Sequence, residues 1–299
     1  MTTTFEVPLP DLSDKVVMVT GAGSPIGLGH AMAVDLLRCG AAVALLDANG
    51  ESLAGVSSEL IARFGRNRAL GITADITSPE DVQRAEAQAT DAFGRIDILI
   101  NNAGIFHRSR SASPSASPPP DRFWEIPTDM WMRTVSVNFT GAFLMTRAVI
   151  DGMRARKWGR IIGVTTSLDS MWTQGAAPYG PSKAGHEALV AVMARDLEGS
   201  GVTANILIPG GPTYTGMTAG VPEFGSGAMI AADVMAGPVR WLVSDDSASW
   251  TGKRLVARLW DETLPLPARL ERAGAPAAWP QLGRQAAPSV AIASKPAQD

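Results

Sequence analysis

Tyr179 and Lys183, in the run Tyr-Gly-Pro-Ser-Lys, are the two residues whose types and spacing could move a proton. Residues four apart near a helix start share one face, which brings an ammonium close to a phenol. A tyrosine ordinarily titrates near ~10, and a neighbouring cation favours its ionised form and brings it toward an acid/base range. Pro181 lies inside the run, where it is compatible with the first turn of a helix because its missing N–H has no intrahelical acceptor there. A second group of residues could hold a dinucleotide. Gly21, Gly27 and Gly29 stand between an apolar stretch and a helical one, and backbone without side chains lets a pyrophosphate approach the free N–H groups of a helix start. Asp47 follows at the end of the next apolar stretch, where a carboxylate accepts from adenosine ribose hydroxyls and repels a 2′-phosphate. The turn carries no Arg or Lys, nor does position 48, so NAD is expected and NADP is disfavoured.

The elements that must position these groups are legible as an alternation. From Lys15 onward, short runs rich in β-branched residues alternate with longer stretches of helical period, the pattern of a parallel sheet wrapped by helices. Strands are predicted at 16–20, 42–46, 69–73, 96–100, 160–165 and 202–207, with a last one near 254–259. A helix over 30–39 ends at Gly40. Residues 109–120 hold five serines and four prolines, a composition that builds no regular element and reads as a surface excursion. Its place after a strand's carboxyl end leaves either a tolerated loop or a lid over the site. The stretch from about 265 to 299, rich in Ala and Pro, is expected to be partly or wholly without order.

Five motifs in order carry a resemblance: the glycine turn, Asn-Asn-Ala-Gly at 101–104, Val137-Asn138, the Tyr179–Lys183 run, and Ile-Pro-Gly-Gly at 208–211. Over about residues 15–259 the chain resembles the short-chain dehydrogenase/reductase family. The resemblance implies an α/β fold, a single Rossmann-type doubly wound parallel sheet flanked by helices on both faces. It implies residues 15–263 as the NAD-binding catalytic domain, after an N-terminal extension (1–14), with an insertion at 107–122 and a tail at 264–299. It also implies hydride transfer between NAD(H) and an alcohol or ketone, with Tyr179 as acid/base, Lys183 also holding the nicotinamide ribose, and Asn138 supporting a proton relay. Ser24, Asp75, Ile76, Asn102, Ala103, Gly104, Pro209, Gly210 and Thr213 or Thr215 are implied at the cofactor, with Tyr214 in the slot usually held by a threonine. Assembly as a homodimer or homotetramer is implied as well.

Two departures bear on the chemistry. The family turn reads Thr-Gly-x-x-x-Gly-x-Gly, and here either two residues including Pro25 are inserted before Gly27 and Gly29, the preferred register, or Pro25 replaces the middle glycine and crowds the cofactor. The substrate-binding serine of the family falls on Thr166, with Ser167 beside it. Adjacent strand residues point to opposite faces, so one of the two serves unless the strand end bends, and Thr166 is preferred.

With 45% hydrophobic and 18% charged residues and a net charge of -3, the 299-residue chain has an ordinary globular composition and no basic footprint for nucleic acid. One cysteine and three histidines offer no metal spacing, and the absence of a leader or of a run of roughly 20 apolar residues predicts a cytoplasmic protein without membrane association. Trp124, Trp131 and Trp172 are candidates for lining an apolar cavity for a substrate of modest polarity. A catalytically weak NAD-binding sensor or scaffold is the rival reading, and a fatty-acid type reductase using NADPH is disfavoured by Asp47.

Overall fold

The computed structural model describes residues 9–106, 121–218 and 229–280; the Ser/Pro-rich stretch and the end of the tail lie outside them. Seven parallel strands follow the alternation of the sequence: β1 (Val16–Thr20), β2 (Ala42–Asp47), β3 (Ala69–Thr73), β4 (Ile98–Asn101), β5 (Gly159–Val164), β6 (Val202–Ile208) and β7 (Lys253–Val256). With β8 (Gly274–Pro276) they form one sheet in the order β3-β2-β1-β4-β5-β6-β7-β8. The strand order reverses direction between β1 and β4, and open α/β sheets bind ligands at the carboxyl ends flanking such a switch point.

Central strands of a parallel sheet are covered on both faces, which is why they read as unbroken apolar runs. In β1, Val17 and Val19 enter one core layer while Met18 enters the other. The first layer packs under α1 (Leu28–Arg38), α2 (Gly50–Phe64) and α8 (Ala236–Val243) through Met32, Leu36, Leu60 and Val239. The second packs under α3 (Pro79–Phe93), α5 (Gly141–Arg156) and α7 (Tyr179–Asp196) through Ala85, Met145, Val149 and Val190. Local chemistry sets the helix starts. Ser78 accepts the Asp81 N–H at 3.2 Å and Pro79 stands at the first position of α3, while Asn49 caps α2 by accepting from Ser52 at 3.1 Å. Between α4 (Thr128–Val135) and α5, residues Ser136–Thr140 wind as a π-helix.

The first part of the tail, to residue 280, lies within the described residues. α9 (Leu266–Ala273) and β8 are regular, and β8 runs antiparallel to β7. Composition suggested disorder because alanine and proline offer little apolar area. Here small size is what fits: Ala273 and Ala277 are buried, and a Cβ added at Gly274 would stand 2.6 Å from both the Leu270 carbonyl and the Trp250 ring. Trp250 and Trp260 stack about Trp241, at 5.4 and 5.5 Å between ring centroids, and anchor this end of the molecule. The last parallel strand ends at Val256, and residues 257–259, read as its continuation, turn as a short 3-10 helix. Because β8 takes the outer edge of β7, that edge is closed to pairing with another chain.

Replacing Gly274 with valine should force the tail off β7. The expected loss is about 1–3 kcal/mol in urea unfolding, as for other overpacked sites; an unchanged midpoint would show that the tail contributes nothing to stability.

Candidate active site

The carboxyl ends of β1, β4, β5 and β6 open into a cavity of about 630 Å³. One end is the glycine turn. Gly21 has φ +66°, and a Cβ there would sit 2.7 Å from the Ala103 Cα, so the turn and the segment after β4 are in backbone contact. Asn102 clamps them, its side chain donating to the carbonyls of Thr20 and Gly21 at 2.9 and 3.0 Å. The Thr20 hydroxyl accepts the N–H groups of Asn102 and Ala103 at 3.1 and 3.0 Å.

The turn runs directly into the first helix. α1 begins at Leu28 with Gly27 at its N-cap, and the Gly27 N–H closes a turn onto the Ser24 carbonyl at 2.9 Å. Gly29 lies in the first helical turn and does not line the cavity; a Cβ there would meet Asn102 and the Gly21 carbonyl at 2.6 Å. Asp47, at the end of β2, lines the same end of the cavity. Its carboxylate accepts the N–H groups of Gly23 and Asn49 at 2.8 and 2.9 Å, which fixes it while leaving further acceptor positions for ribose hydroxyls. Bare backbone at a helix start, with a fixed carboxylate beyond it, fits a dinucleotide.

The other end of the cavity gathers the titratable pair. α7 begins at Tyr179, so Pro181 falls in its first turn, as the sequence requires. Lys183 is only 3% exposed and donates to the Val164 carbonyl at 2.8 Å. Gly104 makes room for it, since a Cβ there would lie 3.2 Å from the ammonium. Burial pushes Lys183 down to about 8. It pushes Tyr179 up to about 12, against a hydrogen bond from the Thr166 hydroxyl that favours the phenolate. In the chain without a nucleotide, the Lys183 ammonium is 5.9 Å from the phenol ring centroid and donates to the main chain, so desolvation governs the phenol. Phe106 packs edge-on against Tyr179 at 5.3 Å.

Of the two hydroxyl candidates, Thr166 faces the phenol, whereas Ser167 caps α6 (Leu168–Trp172), accepting the Ser170 N–H at 3.3 Å. Both line the cavity, as do Ser24, Gly27, Asn102, Ala103, Pro209, Gly210, Thr213 and Thr215. Asn138 does not. It is fully buried in the π-helix and is bonded to both main-chain groups of Ile105 and to the Ser182 hydroxyl. Asp75 and Ile76 also lie outside the cavity walls; Asp75 accepts from Thr77, and Ile76 packs where a Cβ on Gly141 would be. Tyr214 points to solvent, 52% exposed. Trp124, Trp131 and Trp172 are exposed and form no part of the lining, which corrects their reading as cavity residues. The wall is made instead by Phe106, Ser170 of α6, Thr173, Gln174, Gly175, Ala176, Met217 and Thr218, which carry no periodic signature in the sequence.

Comparison with known proteins agrees with this architecture. The short chain dehydrogenase family model matches residues 15–224. The chain is 32% identical over 254 residues to a 3-oxoacyl-(acyl-carrier-protein) reductase of Vibrio cholerae, covering 82% of this chain and 96% of the relative. It is 28% identical over 249 residues to a trans-4-hydroxycyclohexanecarboxylate dehydrogenase of Sinomonas cyclohexanicum, covering 82% and 91%. Among solved structures, a 3-ketoacyl-(acyl-carrier-protein) reductase from Brucella melitensis complexed with NADH superposes with a TM-score of 0.68 at 27% identity, over 79% of this chain and 93% of that one. The protein belongs to the short-chain dehydrogenase family of oxidoreductases, and its sheet is the Rossmann-like fold of that family.

Only two tyrosines are present, so Tyr214→Phe leaves Tyr179 as the sole phenol. In a rapid alkaline pH jump on that variant, phenolate absorbance should report a midpoint near 12, falling when NAD⁺ is added. An unliganded midpoint at the ordinary value of ~10 would mean that the phenol is not desolvated. The sign for stability follows: the unfolded phenol ionises first, so the folded state loses stability as pH rises from 10 toward 12.

Proposed function

We propose that the protein moves hydride between NAD(H) and an uncharged secondary alcohol or ketone. The observation that carries this reading is the convergence of Tyr179, Lys183 and Thr166 at one end of a cavity whose other end presents the glycine turn and Asp47. Bound NAD supplies the hydride acceptor, or donor in the reverse direction, and its positive oxidised ring favours the Tyr179 phenolate. The Thr166 hydroxyl holds the substrate oxygen beside Tyr179. In oxidation the phenolate takes the alcohol proton as the carbon gives up hydride; in reduction the phenol returns it. Lys183 holds the ribose next to the reacting ring. Asn138 acts through Ile105 and Ser182, the groups it is bonded to, and so shapes the path by which a proton leaves toward solvent.

The cavity supports the substrate class. Among the described residues lining it, only Asp47 and Lys183 carry charge; Asp47 stands at the glycine-turn end, and the Lys183 ammonium is turned to the Val164 carbonyl. The substrate end offers Phe106 and Met217 with the neutral Ser170, Thr173 and Gln174, which suits an apolar body with a polar group and gives a carboxylate no counter-ion. One named relative acts on a hydroxy compound and others are reductases of oxoacyl groups, both alcohol–carbonyl interconversions. NAD over NADP rests on Asp47. Soluble, cytoplasmic operation and a homo-oligomeric state complete the reading, with assembly through faces other than the β7 edge.

Nicotinamide fluorescence titrations test the cofactor assignment. NADH should bind at least about tenfold tighter than NADPH, with the preference lost in Asp47→Ala, since hydrogen bonds to a charged group contribute roughly 1.5–3 kcal/mol. Equal affinities in the wild type would refute it. Tight NADH binding without turnover of any neutral ketone would favour the sensor reading, which the loss of a backbone donor at Pro25 makes worth separating.

A further inference from the structure

Behind the cavity wall lies a buried ion pair that the reaction above does not use. Glu187, one turn beyond Lys183 on α7, is wholly buried, and Arg254 on β7 is 5% exposed. Their nearest charged atoms, Arg254 Nη1 and Glu187 Oε1, are 3.4 Å apart. Two charges removed from water are tolerated only when their remaining polar atoms are met. Here each partner is informative. Arg254 Nη2 donates to the Thr166 carbonyl at 3.1 Å. The Thr165 hydroxyl donates to Glu187 Oε2 at 3.3 Å, and the Ala278 N–H, in the turn after β8, donates to Oε1 at 3.4 Å.

These contacts fall where the chain leaves the sheet. β5 ends at Val164, and the Thr165 N–H still reaches the Leu207 carbonyl at 3.3 Å. At the next residue the guanidinium takes over as the donor to the main chain. The chain then enters α6, and the direction of the Thr166 side chain depends on how its peptide is held. A charge-assisted bond to that carbonyl is a strong constraint.

We infer that Arg254, itself held by Glu187, is a positioning residue that fixes the Thr166 main chain and so keeps the Thr166 hydroxyl on the Tyr179 phenol. The consequence for turnover rests on the dehydrogenase reading; the positioning does not. The tail is part of the device, because Ala278 completes the shell of Glu187. Desolvation pushes the Glu187 carboxyl up and Arg254 opposes it, as expected of a charge whose ionised form depends on its partner.

The test reads the phenol directly. In the full chain carrying Tyr214→Phe, a jump to pH 12 should ionise about half of Tyr179 before unfolding begins. Thr166→Val and Arg254→Met should each lower that prompt phenolate fraction by about threefold, and the two together should lower it no further than Thr166→Val alone. Arg254→Lys should restore part of it. Arg254→Met with Glu187→Gln removes both charges and guards against misfolding caused by a lone buried carboxylate. A misfolded variant exposes the phenol and raises the fraction, the opposite direction. An unchanged fraction in Arg254→Met, an additive double variant, or no effect of Thr166→Val would each overturn the inference. NADH-dependent reduction of phenylacetone by Tyr179→Phe at the wild-type rate would overturn only the acid/base role of Tyr179 in the proposed reaction, and leave the positioning of Thr166 standing.

Discussion

A buried ammonium is the constraint on which the candidate site depends. Lys183 sits at 3% exposure with the Val164 carbonyl accepting its hydrogen bond and with no side chain at position 104 to compete for the space. Both conditions tie α7 to the ends of β4 and β5. Packing tightens the tie: a Cβ at Gly180 would stand 2.2 Å from the Met171 carbonyl, so α6 and α7 meet backbone to backbone. Tyr179, at the first residue of α7, inherits its position from this docking. The same docking sets the partly buried phenol in the cavity wall, where desolvation raises its pKa.

The parallel strands were readable because burial on both faces writes them as apolar runs, and β1 and β3 fall on the residues the alternation marks. The chemistry-bearing motifs were readable because each combines an unusual residue pair with a fixed place at a strand end. What the sequence hid were matters of three-dimensional weighing. Pro25 could be placed in either of two registers, because the spacing of the three glycines fits both. The order of α9 and β8 comes from a tryptophan cluster that receives small residues, a fit no composition expresses. The sign of the Tyr179 shift required knowing that Lys183 is turned to the main chain. Trp124 and Trp172 were plausible cavity residues by type, yet they are 68% and 77% exposed.

The molecule assigns its charges economically. Among the described residues that line the cavity, Asp47 and Lys183 are the charged ones. Behind it, Glu187 and Arg254 neutralise each other while bracing the turn that carries Thr166. The tail links these regions, since β8 closes the sheet edge and Ala278 reaches Glu187. Stability of the sheet edge and geometry of the candidate site are thus parts of one arrangement.

The central claim is that Tyr179 moves the proton while hydride moves between the nicotinamide and a neutral carbonyl. It is tested most directly by a single turnover with NADH deuterated at its transferable position and phenylacetone as acceptor, in the wild type and in Tyr179→Phe. The account predicts deuterium on the product carbinol carbon, and a rate lowered by about 10²–10⁴ in the variant with NADH affinity unchanged. Transfer at the wild-type rate in Tyr179→Phe would contradict it.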